Sequence, residues 1–434
     1  MKKIMVLIVI AILFSLSLSS AQDTDTAWTR QTPGNDVRDV KFSPDGNTIA
    51  TVHDNALIYF WETATGNTIK IMNKHLSGAR AIAYSNDGNY LYSGGEGGKI
   101  FKFDTKTYDT VQTYLGNYPK LQSWIVSLCP SNDNTRIFAG TGLNDSNNII
   151  VIDEKTGDIL KTFSMSGVIG KLILSNDNRY IAVFSAYNHP IDQSIHYQLT
   201  LWDATTYQKI KTLDDTKDEI GDIAFSFDGT QLYEVQSYAN IIKIWDTKSG
   251  NLIKNFKPKD LRGIYKLAIF KSNSQAFIIY SSTDNKGRYG IFDLNLDIIE
   301  YFYTYQPFTQ NSFLSISADE SRLASGGSNR LDVLNNKTTG LIGNNPKFTG
   351  TQDIIIPNPL TNQALIKFNL LSSGITILNL LNESGITIKS LFNSFLDAGN
   401  NELTVNLASI PSGNYLVSIQ CKNYNKTLKL SIIK

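Results

Sequence analysis

One short phrase recurs along the chain at a nearly constant interval, and that interval limits what the chain can become. The phrase is a serine-led turn: "SPDG" at Ser43, "SNDG" at Ser85, "SNDN" at Ser131 and at Ser175, "SFDG" at Ser226, "SNSQ" at Ser272 and "SADE" at Ser317. Successive serines lie 42, 46, 44, 51, 46 and 45 residues apart. A second marker follows each turn: "YFWE" at Tyr59, "FKFD" at Phe101, "IVID" at Ile150, "TLWD" at Thr200, "KIWD" at Lys243, "GIFD" at Gly290 and "DVLN" at Asp332. Two markers in a fixed order and period mean that each unit is one supersecondary module, which buries its apolar surface only against its neighbours.

Between the markers lie short β-rich runs such as "DIAFS", "QLYEV", "IIKIW" and "NLIKNF" in the unit from Gly221 to Phe256, four strands per repeat. Helical solenoids of similar period need a 3.6-residue apolar rhythm that these runs lack, whereas four strands in about 45 residues fit a propeller blade. The turn chemistry explains the markers. Asp45, Asp87 and Asp228 accept local backbone hydrogen bonds at the tip, and Gly46, Gly88 and Gly229 take positive φ after them. In the second marker, Trp202 and Trp245 supply packing area between blades, and Asp104, Asp153, Asp203, Asp246 and Asp293 open the next turn. The expected fold is all-β, a seven-bladed β-propeller over residues 22–343 followed by a small immunoglobulin-like β-sandwich. The seventh blade can be completed by "TTGLIG" near Gly340 or by the leading "AWTRQTP" at Trp28, and the second, which ties the two ends together, is favoured.

From Val37 to about Gly343 the chain resembles the WD-repeat β-propeller family, with the literal dipeptide kept at Trp202-Asp203 and Trp245-Asp246. Blades of that family tend to carry a Gly-His pair whose imidazole links buried polar groups. Here His75 in "KHLSGARAIAYS" stands at the matching place, with Ser93 and Glu96 as candidate partners.

Repeats give way to a polar linker at residues 344–352, and residues 353–434 alternate β runs with turns: "ALIKFNL", "GITILNLL", "GITIKSLF", "NELTVNLASI", "NYLVSIQCKN" and "TLKLSIIK". An antiparallel sandwich of about seven strands follows. This segment resembles the type A C-terminal sorting domain of the bacterial type IX secretion system. Its elements come in the family's order: "IIIPNP" with Pro357, Asn358 and Pro359, then Gly385, Gly399, "IPSGNYLVSI" with Gly413 and Tyr415, and a final strand ending at Lys434. The resemblance implies a type IX translocon and a sortase-like protease as partners. It also implies cleavage between Asn344 and Gln352, and release of the cargo or its attachment to a surface lipopolysaccharide. With six Lys/Arg and four Asp/Glu, the tail is only about +2, so its shape rather than its charge is the expected recognition feature. The alternative is an immunoglobulin-like adhesion module that stays attached.

The opening "MKKIMVLIVIAILFSLSLSSAQ" sets two lysines before an apolar run from Ile4 to Leu18 and ends in small residues, the pattern of a signal peptide over residues 1–21, cleaved after Ala21. No other segment is long and apolar enough to span a bilayer, so no transmembrane segment is expected after its removal. Loss of Lys2 and Lys3 turns 40 basic and 39 acidic residues into 38 and 39, a net charge of −1 that offers no field for nucleic acid. Cys129 and Cys421 are the only cysteines and are expected to fill strand cores, with a single bridge as the other option.

Any chemistry on the ring must come from loops. The longest insertion, "SAYNHPIDQSIHYQ" from Ser185 to Gln198, holds His189, Asp192 and His196. Two histidines seven apart in a Pro-containing loop have no helix to align them, so the reading is an exposed polar loop and no metal is expected. "GTGLNDSNN" around Asp145 lacks the alternating carboxylates of a calcium loop, and "YFYTYQPF" from Tyr301 to Phe308 reads as a strand before a sugar platform. Nucleophile elbows, zinc-protease motifs and phosphate loops are absent. The expectation is a non-enzymatic module with no catalytic residues and no cofactor, exported to the cell surface or secreted, that binds an extracellular protein or glycan. The competing reading is a hydrolase or lyase with carboxylates converging at the ring mouth.

Overall fold

The computed structural model describes residues 26–32, 36–116, 123–142, 148–258, 261–282, 287–294, 298–302, 313–336, 354–356, 363–370, 374–382, 385–397, 399–421 and 424–432. The leader 1–21, the linker with its cleavage window, "TTGLIG", Asp145, most of "YFYTYQPF", Pro357, Asn358, Pro359 and Lys434 lie outside these residues. The chain divides into two compact units between Thr339 and Gly340.

In the first unit the described residues form seven four-stranded antiparallel sheets. Six are consecutive meanders, at residues 37–73, 79–114, 125–163, 168–216, 220–256 and 261–302. The seventh takes three strands from residues 313–335 and completes itself with Thr26–Gln31. That N-terminal strand pairs antiparallel with Arg330–Asn335, Thr26 opposite Leu334 and Gln31 opposite Arg330. Each first strand contacts the first strands of the sheets before and after it, and the first and seventh sheets meet as well, so the sheets form a closed cycle. The core is divided accordingly. Ala50, Val52, Ile58 and Phe60 of the first sheet pack on Ile82, Leu91 and Phe103 of the second, and Trp28, Val40, Ile49 and Trp61 pack on Ala324, Leu331 and Val333 across the closure.

Strand direction sorts the connections onto two faces. The serine-led turns and the turns after the second marker all fall on one end, called here the turn face. The second-to-third hairpins and the links between sheets fall on the other, the loop face. The sixth serine-led turn sits two residues earlier than its spelling suggests. Phe270 N donates to Gln275 O and Asn273 N to Phe270 O, the pattern made by Ser43 and Gly46 in the first sheet. Phe270 thus replaces the turn serine, and "SNSQ" at Ser272 straddles the end of the turn.

The second unit has two antiparallel sheets, one of three strands and one of four. Alternate residues Ala364, Ile366, Phe368 and Leu370 from one, with Leu378, Leu380, Val417, Ile419 and Leu430 from the other, form one buried core, the period-2 pattern of sheets with one covered face.

Candidate functional site

The turn face is built from the residues that the repeat singled out. The hydroxyls of Ser43, Ser85, Ser131, Ser175, Ser226 and Ser317 each donate to the aspartate two residues on, Asp45, Asp87, Asp133, Asp177, Asp228 and Asp319, at 2.5–2.7 Å. Each aspartate also accepts a backbone N–H two residues further on, from Asn47 N to Asp45 or Thr230 N to Asp228. After the second marker, Asp104 accepts from Lys106 N and Thr107 N, Asp153 from Lys155 N and Thr156 N, Asp203 from Thr205 N and Thr206 N, and Asp246 from Ser249 N. Asp293 ends the matching strand of the sixth sheet. Gly46, Gly88 and Gly229 have φ of +75°, +72° and +70°, and Asn134, Asn178 and Asn273 fill the same place at +55° to +60°. Those amides also tie neighbouring sheets together. Asn134 Oδ1 accepts from Asn86 N, Asn178 Oδ1 from Asn132 N, and Asn273 Oδ1 from Phe227 N.

Between sheets, Trp202 Nε1 donates to Thr200 Oγ1 at 2.7 Å and its ring lies 4.7 Å from Phe163. Trp245 Nε1 donates to Glu234 Oε2 at 2.9 Å, a fully buried carboxyl whose pKa is raised by burial and by the Asp214 carboxylate. His75 Nε2 meets Ser93 Oγ at 2.8 Å as anticipated, whereas Glu96 pairs with Arg80 at 2.8 Å. A second imidazole network, unanticipated, joins His53 and Trp61 Nε1 to the Thr51 hydroxyl at 2.8 and 2.9 Å.

First strands enclose a cavity of about 540 Å³ on the ring axis. Its chemistry is set four residues before each turn, at Asp39, Ser127, Lys171, Asp222 and Lys266, positions that the repeat alignment leaves unremarked. Asp39 accepts from Lys41 Nζ at 2.6 Å and from Ile82 N of the next sheet at 3.1 Å. Asp222 accepts from Lys171 Nζ at 2.6 Å and from Leu267 N of the next sheet at 3.1 Å. Ser127 Oγ accepts Leu172 N at 3.0 Å in the same way. Lys266 donates to Gly221 O at 2.7 Å, and burial lowers its pKa. Among the described residues, Asp39 and Asp222 are the carboxylates lining the cavity, and each bonds a lysine and a backbone N–H of the next sheet.

The loop face differs in character. Leu76, Trp124, Ile191 and Tyr238 lie on it, 96, 46, 86 and 60% exposed. The Trp124 ring covers the Arg80 guanidinium at 4.4 Å, beside the mouth of the cavity. The same face carries the hairpin of Ser185 to Gln198. Sequence spacing offered no means of aligning His189 and His196, but the strands Tyr180–Asn188 and Ile195–Asp203 are paired up to Asn188↔Ile195 and bring both rings to one side, 4.2 Å apart. Cys129 and Cys421 are both half-buried with no disulfide between them, and burial pushes the Cys129 pKa up to about 11.

In the second unit Gly385 has φ +78° in a turn closed by Gly385 N to Asn382 O. Gly399 and Gly413 each open a strand, and Tyr415 OH donates to Pro411 O at 3.0 Å. Among the described residues no helix is long and apolar enough to cross a membrane.

These two units match two known families separately. Residues 28–62 and 66–104 match the WD domain, G-beta repeat. Each matched stretch takes the last strand of one sheet with the first three of the next, which is the offset that lets Trp28 close the cycle. Periodic tryptophan protein 2 of Arabidopsis thaliana is 27% identical over 220 residues, 50% of this chain and 23% of that protein. Nuclear distribution protein PAC1 of Coccidioides posadasii (strain C735) is 24% identical over 204 residues, 43% of each chain. Autophagy-related protein 16 of Arabidopsis thaliana is 25% identical over 151 residues, 33% of this chain and 30% of that protein. This chain thus spans less than half the length of each relative. Residues 354–434 match the secretion system C-terminal sorting domain. The chain therefore carries WD repeats in its first unit and a secretion-system C-terminal sorting domain in its second.

Proposed function

We propose that the protein is a seven-bladed propeller exported by the type IX secretion system, with an immunoglobulin-like tail as its address, and that the ring binds an extracellular protein or glycan through its loop face. The match of residues 354–434 to the sorting domain carries the export reading. Binding is assigned to the loop face because Leu76, Trp124, Ile191 and Tyr238 are exposed there, against Phe227 on the turn face, whose aspartates are hydrogen-bonded within their own turns. Exposed aromatic and aliphatic side chains favour docking. The ring acts without catalysis in this reading, since Asp39 and Asp222 are each committed to a lysine and a neighbouring sheet.

Deleting Leu428 to Lys434 removes five of the nine paired positions that complete the four-stranded tail sheet, in which Leu428 lies opposite Val417 and Ile432 opposite Gly413. The truncated protein should accumulate in the periplasm, as read by fractionation and surface proteolysis. Surface display equal to wild type would refute the sorting assignment. For the ring, capture of envelope proteins and glycan arrays by the mature protein should drop at least about tenfold in Trp124→Ala/Tyr238→Ala, as for loss of interface anchors. Equal capture by both forms would move the binding site elsewhere.

A further inference from the structure

The second and third strands of the fourth sheet are nine residues each, against five or six in most other sheets, and their excess length carries a hairpin out on the loop face. The turn is closed by His189 N to Ser194 O at 2.9 Å and Gln193 N to His189 O at 3.0 Å. With Tyr187 opposite His196 in register, His189 and His196 are diagonal neighbours on one side of the ribbon, and their rings stack at 16°. Asp192 sits at the tip between them. Its Oδ1 lies 3.3 Å from His189 Nδ1 and its Oδ2 3.4 Å from His196 Nε2, and one ligand atom from each of the three residues falls within 4.8 Å of the others. Ligand atoms bonded to a tetrahedral zinc at about 2.0–2.1 Å are about 3.3–3.4 Å apart, so the three side chains have to draw in from their 4.8 Å spread, with one Asp192 oxygen serving both imidazoles, to close on an ion.

A second layer orients the set. His196 Nδ1 faces Asp215 Oδ1 at 3.3 Å, and a proton on Nδ1 donated to that carboxylate would leave the Nε2 lone pair free for an ion. Asp215 is itself fixed by Tyr187 OH at 2.8 and 2.9 Å and by Gln198 Nε2 at 3.3 Å. Carboxylates behind ligating imidazoles set tautomer and basicity in this way. His189 Nδ1 is shielded from solvent and makes no hydrogen bond. Lys217 Nζ, 2.7 Å from Asp192 Oδ2, is the competitor for the carboxylate, and its side chain is 63% exposed and able to swing away.

We propose that His189, Asp192 and His196 bind one divalent transition-metal ion, zinc before nickel or cobalt, with a fourth position open to water or to a donor from a partner. Two imidazoles and a carboxylate suit these borderline ions, and a preference for calcium or magnesium would require oxygen ligands. The proposal is independent of the binding partner considered above.

The test is titration of zinc chloride into the mature full chain, prepared without a histidine tag, followed by cobalt(II) absorption spectroscopy. One equivalent should bind with a micromolar or tighter Kd, about 10⁻⁶ M. Asp192→Asn and His196→Ala should each weaken binding at least about tenfold, and Asp215→Asn by about tenfold, while Lys217→Ala should tighten it. The other histidines, His53 in the first sheet and His75 in the link to the second, are buried, so histidine-dependent binding reports this hairpin. In the wild type, cobalt(II) should show the visible bands of a low-coordinate nitrogen- and oxygen-ligated ion, a readout that a folding defect in a variant cannot mimic. Absence of saturable binding of zinc, nickel or cobalt(II) up to about 1 mM overturns the proposal. So does binding unchanged in His189→Ala/His196→Ala.

Discussion

His75 shows what one buried side chain does to the whole ring. It is 5% exposed, bonded to Ser93, and burial lowers its pKa to about 4, below the ordinary value near 6.5. The native state therefore resists a proton that the unfolded chain accepts. The contribution of neutral His75 to stability is complete above about pH 6.5 and is lost as pH falls toward 4, by up to about 3 kcal/mol. Asp45 and Asp228 are held below the usual carboxylate range chiefly by the Ser43 and Ser226 hydroxyls. The melting temperature should fall between pH 7 and pH 4.5, and His75→Gln should flatten that slope. An unchanged slope would mean that the imidazole is not the group responsible. The residue was readable because it repeats a family position. Its partner was readable only as a choice between Ser93 and Glu96, since nothing in the sequence says that Arg80 claims the glutamate.

At the scale of strands and sheets, neighbours lock by filling one another's gaps. Gly94, Gly140 and Gly326 stand at the same place in the second strands of their sheets, and a Cβ there would come 2.4–2.8 Å from Ile125, Ile169 and Val37, the β-branched residues that enter from the next sheet. Gly94→Ala should destabilise the ring by about 1–3 kcal/mol through overpacking. Combined with Ile125→Ala it should cost less than the sum of the two changes, measured by chemical denaturation. Additive losses would show that the two residues do not share a packing site. The serine-led turns were legible because their chemistry is local, a hydroxyl, a carboxylate and a positive φ within four residues. The sixth turn was misplaced by two residues because Phe270 keeps the geometry without the serine, and Ser272 keeps the serine without the geometry. The His189 hairpin was missed for a related reason. Alignment of its side chains comes from strand length and cross-strand register, which depend on pairing and not on the spacing of seven.

For the whole molecule, the decisive contact is between residues about 300 apart. Asp332, 1% exposed, accepts from Thr29 Oγ1 of the N-terminal strand at 2.7 Å, from Arg330 Nε at 2.6 Å and from Tyr289 OH of the sixth sheet at 3.2 Å. Trp28 Nε1 donates to Thr63 O and its ring packs where Gly66 leaves room. Deleting Thr26–Gln31 should lower the melting temperature and cause aggregation seen by light scattering, because Arg330–Asn335 becomes an unpaired edge. A monodisperse ring of unchanged stability would show that closure is dispensable. Closure by this strand was preferred from sequence on the ground that edges need partners, while blade order followed from the period alone.

The register of that closing pair has one more consequence. Thr26 lies opposite Leu334, so the chain enters the ring and leaves it side by side, both on the turn face. An attachment made close to either end would therefore meet the ring on its turn face. The Arg80–Trp124 mouth and the His189 hairpin lie on the opposite, loop face.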